Sequence, residues 1–183
     1  MSAIVRPHIT YEDLCKMPDD GNRYEICDGE AYMSPSPNVR HQEISRRIQR
    51  LFEQAISDRS KILQAPLDVV FSYDCQAQPD LILVLEPSLS IVKDVIRGTP
   101  DLLVEILSHS TAYRDIGIKM EMYARFGVGE YWIVDDAKRT FSIHRLDSEA
   151  RAFRLVRTAI AGDRVVTPLV PALDFDPSGV FAE

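Results

Sequence analysis

The feature that most constrains this chain is a carboxylate set in the middle of an apolar run. Leu102, Leu103, Val104, Ile106 and Leu107 have the composition of a buried strand, and Glu105 interrupts them. An unpaired charge there would cost on the order of several kcal/mol, so the fold has to supply a compensating group. Ser108, Ser110 and Thr111 break the strand and offer N-cap oxygens, and a helical period follows from about Ala112 to Phe126. Asp115, Lys119 and Tyr123 are spaced four apart and share one face of that helix. Lys119 lies between Ile116, Met122 and Tyr123, partly inside an apolar stripe, where lysine is unusual. Two readings follow. Glu105 and Lys119 form a buried salt bridge that fixes the helix on the sheet, or they are half of a reactive site, and both settings perturb charges.

A second carboxylate shifts the balance toward the site. Asp80 opens the run Leu81 to Leu85, which reads as a strand buried on both faces. If the two strands are neighbours, Asp80 and Glu105 approach closely and repel unless one is protonated or a cation lies between them. Mg²⁺ (or Mn²⁺), which takes a couple of carboxylates and keeps several waters, satisfies such a pair. With a lysine beside it, the reaction class is metal-assisted phosphodiester hydrolysis, Lys119 orienting the water or neutralising developing charge.

Around these strands the chain alternates helix and strand signals. Thr10-x-x-Asp13 resembles a capping box at the start of a short helix. Arg23 to Met33 alternates around Asp28-Gly29, a hairpin signal, flanked by Glu25 and Glu30. Edge glutamates are commonly solvated, and pattern alone gives Glu30 no functional weight. A long amphipathic helix runs from about Asn38 to Ser57, with Pro37 at its first position and Ile44, Ile48, Leu51, Phe52 and Ala55 as its apolar stripe. His41 begins the stripe, where a lone histidine is more often a packing residue than a catalyst. Arg40, Arg46, Arg47 and Arg50 lie on the other side, a solvated face in the simplest reading and a phosphate-contacting one in the sharper reading. Lys61 to Phe71 reads as one strand around Pro66, Ser72 to Gln78 as a turn, Glu130 to Val134 as a strand, and Phe141 to Arg145 and Phe153 to Thr158 as antiparallel additions. Pro168 and Pro171 mark a loop, and Asp176-Pro177 starts a terminal helical turn.

The formal charge of −7 argues against broad, unassisted binding to nucleic acid, though not against a local basic face or a site where metal ions offset clustered acids. Cys15, Cys27 and Cys75 form no CxxC pair or His/Cys cluster, which fits a reducing compartment. The first residues lack the apolar core of a signal peptide, and no run approaches membrane-spanning length. The expectation is one cytoplasmic domain over residues 1–183 with no membrane attachment.

These elements predict an α/β fold: a mixed central sheet flanked by helices, with antiparallel additions at both ends. Tyr24 to Glu30 (YEICDGE), Arg40 to Ile44 (RHQEI), Gln78 to Val84 (QPDLILV), Gly98 to Thr111 (GTPDLLVEILSHST), Arg114 to Asp135 and Pro168 to Asp176 together resemble the Uma-two family of bacterial restriction-endonuclease-type proteins. That family is grouped with the PD-(D/E)XK nucleases, and the likeness spans nearly the whole chain. The resemblance implies a restriction-endonuclease-like core and makes Asp80 and Glu105 the metal-binding acids. Leu107 stands where the strand lysine would be, so Lys119 on the next helix becomes its replacement. Glu25 and His41 match the family's other polar site positions, and Glu25 would join the metal ligands. His109 departs from the family's proline, a change expected to alter loop stiffness rather than chemistry. Nucleic acid, DNA foremost, is the implied substrate. A homodimer is expected by analogy with nucleases that cut two strands. The alternative is a non-catalytic nucleic-acid-binding or assembly module on the same fold.

Overall fold

A computed structural model of the chain describes residues 7–108 and 112–182; the expectations for His109, Ser110 and Thr111 lie outside them. Helix α1 (Tyr11–Lys16) carries the capping box that its spacing predicts: Thr10 Oγ1 accepts from the Asp13 N–H at 3.2 Å, and the Asp13 carboxylate accepts from the Thr10 N–H at 3.0 Å. Strands β1 (Arg23–Cys27) and β2 (Glu30–Ser34) then form the hairpin. Asp28 and Gly29 have φ values of 51° and 77°, the pair of left-handed residues that a two-residue primed turn requires. Helix α2 (Val39–Ala55) starts later than the proline suggests. Asn38 is its N-cap, accepting from the His41 N–H at 2.8 Å, and Pro37 precedes the helix rather than opening it.

The segment Lys61 to Phe71 is two strands, not one. β3 (Lys61–Gln64) and β4 (Val69–Ser72) belong to different sheets, and Pro66 lies between them. Proline has no N–H to give a ladder, so the chain changes sheet there. β5 (Cys75–Ala77) occupies part of the expected turn and returns antiparallel to β4. β6 (Leu81–Val84) follows, then a 3-10 turn over Glu86–Ile91 and the short β7 (Ile96–Arg97). β8 (Leu102–Ile106) leads toward a π-helical turn over Arg114–Ile118 that continues into α3 (Lys119–Arg125). β9 (Glu130–Asp135), β10 (Thr140–Asp147) and β11 (Ala152–Ala159) follow. The expected loop near Pro168 and Pro171 is a small hairpin of β12 (Val165–Thr167) and β13 (Val170–Phe175), ahead of a 3-10 turn over Pro177–Gly179. Its two-stranded sheet leaves an outer edge on each strand, where a proline loses no ladder bond.

The central sheet is mixed, with strand order β11-β10-β9-β8-β6-β3. Only β8 and β9 run parallel, joined by the crossover that carries α3. Alternation places Leu81, Leu83, Val104, Ile106, Trp132 and Val134 toward α2, where they pack on Ile44, Ile48 and Phe52. Ile82, Leu103, Tyr131 and Ile133 face the other way, onto Met122 and Tyr123 of α3. A second sheet, β2-β1-β5-β4-β7, adds Val69, Cys75, Ala77 and Ile96 to that side. Sheet with helices on both faces is the architecture the sequence predicts. Among the described residues, no helix is long and apolar enough to cross a membrane.

Candidate active site

Glu105 shares its strand face with Leu103, so its carboxylate points to the α3 side of the sheet, and the residue is 4% exposed. Because Leu81 pairs with Val104 in the antiparallel register, Asp80 stands opposite Glu105 across the β6–β8 ladder. The neighbourhood of the two acids expected from the sequence is therefore present. Asp80 Oδ2 accepts from the Ile106 N–H at 2.7 Å and lies 3.1 Å from His41 Nε2. His41 thus reaches the site from the first turn of α2, while its Nδ1 is buried without a hydrogen-bond partner among the described residues.

Lys119 projects from α3 into a cage of three carboxylates. Its Nζ is 2.9 Å from Glu25 Oε1, 3.0 Å from Glu105 Oε1 and 3.3 Å from Asp115 Oδ1. Tyr123, one turn further along the same face, donates its hydroxyl to Glu105 Oε1 at 2.9 Å. Beside the π-helical turn, the Asp115 carbonyl accepts from the Tyr131 hydroxyl at 2.9 Å. Glu25 is a buried residue, not a solvated edge glutamate. The Gln78 N–H and the Ser34 hydroxyl donate to it at 2.9 and 3.0 Å. Both of its oxygens are engaged, so its observed contacts hold the lysine and tie the hairpin to the site.

Four acids face one lysine and one histidine in a largely buried place, and the proton affinities of Glu105, Asp115 and Glu25 shift accordingly. Burial pushes Glu105 well above the usual carboxylate range; Lys119 pulls against it, but Asp115, Asp80 and Glu25 add to the push. Burial likewise raises Asp115, to about 6. Glu25 also meets a burial penalty, yet Lys119 and its hydrogen-bond donors outweigh that and hold it low. Burial opposes the Lys119 charge, but Glu105, Glu25 and Asp115 hold its affinity for the proton well above the ordinary lysine value. The ammonium is therefore the fixed charge here, and Glu105 and Asp115 are the acids able to take up a proton. Burial lowers the proton affinity of His41, but the hydrogen bond and charge of Asp80, with smaller help from the Ile106 backbone and the Asp115 charge, together outweigh it and leave it above the usual histidine value.

Asp80, Glu105, Lys119 and His41 line a cleft of about 820 Å³ that also takes in Arg114. Among the described residues, no hydrogen bond or ion pair engages Asp80 Oδ1 or Glu105 Oε2. No group of three or more His, Cys, Asp or Glu side chains is arranged as a ready cage for an ion among those residues. Two oxygen donors on neighbouring strands suit a hard divalent ion that keeps most of its water, and do not suit a closed zinc-type site.

The arginine face divides. Arg40 binds the Asp136 carboxylate through Nε and Nη2 at 2.9–3.1 Å and the Phe181 and Ala182 carbonyls at 2.8 Å each. Arg47 donates to the Val180 carbonyl at 3.0 Å and to that of Ala182. These two residues clamp the C-terminal turn onto α2. Arg46 and Arg50 are exposed. Arg114, Ser34 and Gln78 carry no signal of a site role in the sequence. The contacts of the latter two cross between elements and leave no periodic signal.

A family model described as Uma2, putative restriction endonuclease, matches residues 10–177. Among solved structures, a crystal structure of a putative nuclease belonging to DUF820 from Anabaena variabilis ATCC 29413 is similar, with a TM-score of 0.75 at 17% identity. The match covers 94% of this chain and 97% of that one, and it shows a shared fold. No curated protein matches the chain.

Proposed function

Because the chain belongs to the Uma2 family of putative restriction endonucleases, we propose that it is a nuclease hydrolysing nucleic-acid phosphodiester bonds, DNA foremost, with Mg²⁺ or Mn²⁺. The observation that carries this reading is the Asp80–Glu105 pair, opposed across two strands with an oxygen of each left open, beside a lysine at a cleft. Asp80 and Glu105 would hold the ion. When bound, the metal supplies Lewis-acid polarisation of the phosphate and a lowered pKa for its water. The protein's own residues do the rest. Lys119, kept charged by its carboxylates, orients the attacking water and offsets charge building on the phosphate. His41 fixes Asp80 through Nε2 and is placed to move a proton at that carboxylate. Glu25 holds the ammonium in place from the hairpin. The working unit proposed is a cytoplasmic homodimer.

A second reading has one observation in its favour. Lys119 already meets three carboxylates, as a purely structural ion-pair hub would, which suits a non-catalytic nucleic-acid-binding or assembly module. Calorimetric titration with Mn²⁺, beside a cleavage assay on plasmid and single-stranded substrates, separates the two. Saturable binding that weakens in Asp80→Ala and in Glu105→Ala, with metal-dependent cleavage, is expected. Equal binding by wild type and both variants, without cleavage, sinks the nuclease.

A further inference from the structure

We infer that Arg114 is the phosphate ligand of the cleft, its guanidinium taking a backbone phosphate oxygen of the bound nucleic acid; this rests on the nucleic-acid reading above. Arg114 opens the π-helical turn, is 6% exposed and lines the same cleft as Asp80, Glu105 and Lys119. Among the described residues its Nε is buried without a hydrogen-bond partner. The guanidinium lies over the face of the Tyr32 ring, 5.8 Å from its carbon to the ring centroid.

The other buried charged residues among those described are compensated. Glu25, Glu105 and Asp115 share Lys119, and buried Glu130 has Arg145 at 2.9 Å. The adjacent Asp115 turns its carboxylate to Lys119 and leaves the arginine alone. An arginine cannot shed its proton to escape burial, so a guanidinium in this position calls for an anion from outside the chain. Carboxylates are already in surplus on this side of the fold. A phosphate matches the planar fork with two parallel bonds, and the aromatic face behind it fixes the plane of the fork. π-helical turns are uncommon and gather at functional sites, which agrees with a turn that presents Arg114 to the cleft and Asp115 to the lysine.

The test uses fluorescence anisotropy with a short fluorescein-labelled duplex and the corresponding single strand, in EDTA and in Mg²⁺, over a salt series. Thermal melts with and without inorganic phosphate run beside it. Arg114→Gln is expected to weaken binding about tenfold or more, as the loss of a charge-assisted bond would. It should also flatten the log–log salt slope by about 0.9 on the duplex. Its melting temperature should hold or rise, because a costly unpaired charge is gone. Arg114→Lys, which keeps the charge and loses the fork, should fall between. Unchanged affinity and slope in Arg114→Gln overturn the assignment, as does a melting loss with binding per folded molecule intact. Wild type that binds neither strand overturns it too, and a phosphate-induced melting shift without strand binding would assign the site to free anion instead. Arg114-dependent binding by a wild type that never cleaves leaves this inference standing and removes the nuclease. Cleavage that Arg114→Gln does not impair, with binding undiminished, removes Arg114 alone.

Discussion

Replacing Lys119 by methionine is the sharpest perturbation this fold offers. The side chain is 11% exposed and its Nζ lies within 3.3 Å of three carboxylates, so methionine keeps the packing stem and deletes only the charge. Breaking a buried ion pair from one side costs about 3–5 kcal/mol, because the partners are left uncompensated. Glu25 retains Gln78 and Ser34, and Glu105 retains Tyr123, which sets the expectation toward the lower half of that range. For a chain of this size that is a melting loss of about 6–16 °C, at 2–4 °C per kcal/mol. The loss depends on pH with a definite sign. Glu105 and Asp115 are already raised, and removing the ammonium raises them further. A carboxyl raised in the folded state leaves stability intact below its unfolded value and takes it away as pH climbs through the folded one. The deficit of Lys119→Met should therefore be small near pH 4 and largest near pH 8. Differential scanning calorimetry across that range measures it, and repeating the pH 8 scan with Mn²⁺ asks whether a metal compensates Glu105 in place of lysine. A deficit that is flat with pH, or absent at pH 8, would refute the account of Lys119 as the counter-charge. Restoration of the melt by Mn²⁺ without restored cleavage is the outcome expected of a lysine that also serves the chemistry.

Asp115→Asn should stabilise the protein at pH 8 and not at pH 4, since the wild-type carboxyl is raised from 3.8 to about 6. That shift corresponds to about 3 kcal/mol at most, readable in urea melts, and equal stability of the two proteins at pH 8 would count against it. Arg40→Ala and Arg47→Ala should each cost about 1–3 kcal/mol by freeing the C-terminal turn and leave the salt dependence of DNA binding alone. Arg46→Ala and Arg50→Ala should do the opposite, lowering the log–log salt slope by about 0.9 each with the melt unmoved; an unchanged slope returns this face to plain solvation. Sedimentation equilibrium should find a dimer at micromolar protein, and a monomer there removes the homodimer proposal.

What could be read from the sequence follows the range of the interactions involved. Asp80 and Glu105 stood out because a strand buried on both faces has no ordinary place for a charge, and Lys119 because helical spacing put it in an apolar stripe. Both are local signals. Glu25 had none, since a glutamate beside a hairpin turn reads as solvated whatever lies above it. Its burial comes from β1 pairing with β5 and from a lysine far along the chain. The clamp made by Arg40 and Arg47 is hidden for the same reason, because their acceptors include main-chain carbonyls at the opposite end of the chain. A carbonyl leaves no mark in the pattern of residue types. Arg114 was hidden differently. An ideal helix groups Asp115, Lys119 and Tyr123, and nothing in the spacing announces the π-helical turn that begins at Arg114. Pro66 does carry a local signal, since its missing N–H stops one strand from running through it.

The place from which the lysine comes has a structural consequence. Glu105 and Leu107 lie on one face of the strand, and Leu107 packs into the apolar cluster on the α3 side. A lysine at that strand position would share the strand of Glu105. Delivered from α3 instead, the ammonium meets Glu105 of the central sheet, Glu25 of the second sheet and Asp115 of its own helical segment at a single point. One charge thus joins three separately formed elements, and its neighbourhood stays in carboxylate surplus. That surplus gives any divalent ion held by Asp80 and Glu105 a double effect. It would relieve the repulsion that raises Glu105, and by mass action it would stabilise the fold that arranges the two acids. Loading the proposed catalytic site and tightening the junction between the sheets are then the same event. Mn²⁺ should therefore raise the wild-type melting temperature, and it should do so less when Asp80 or Glu105 is replaced by alanine.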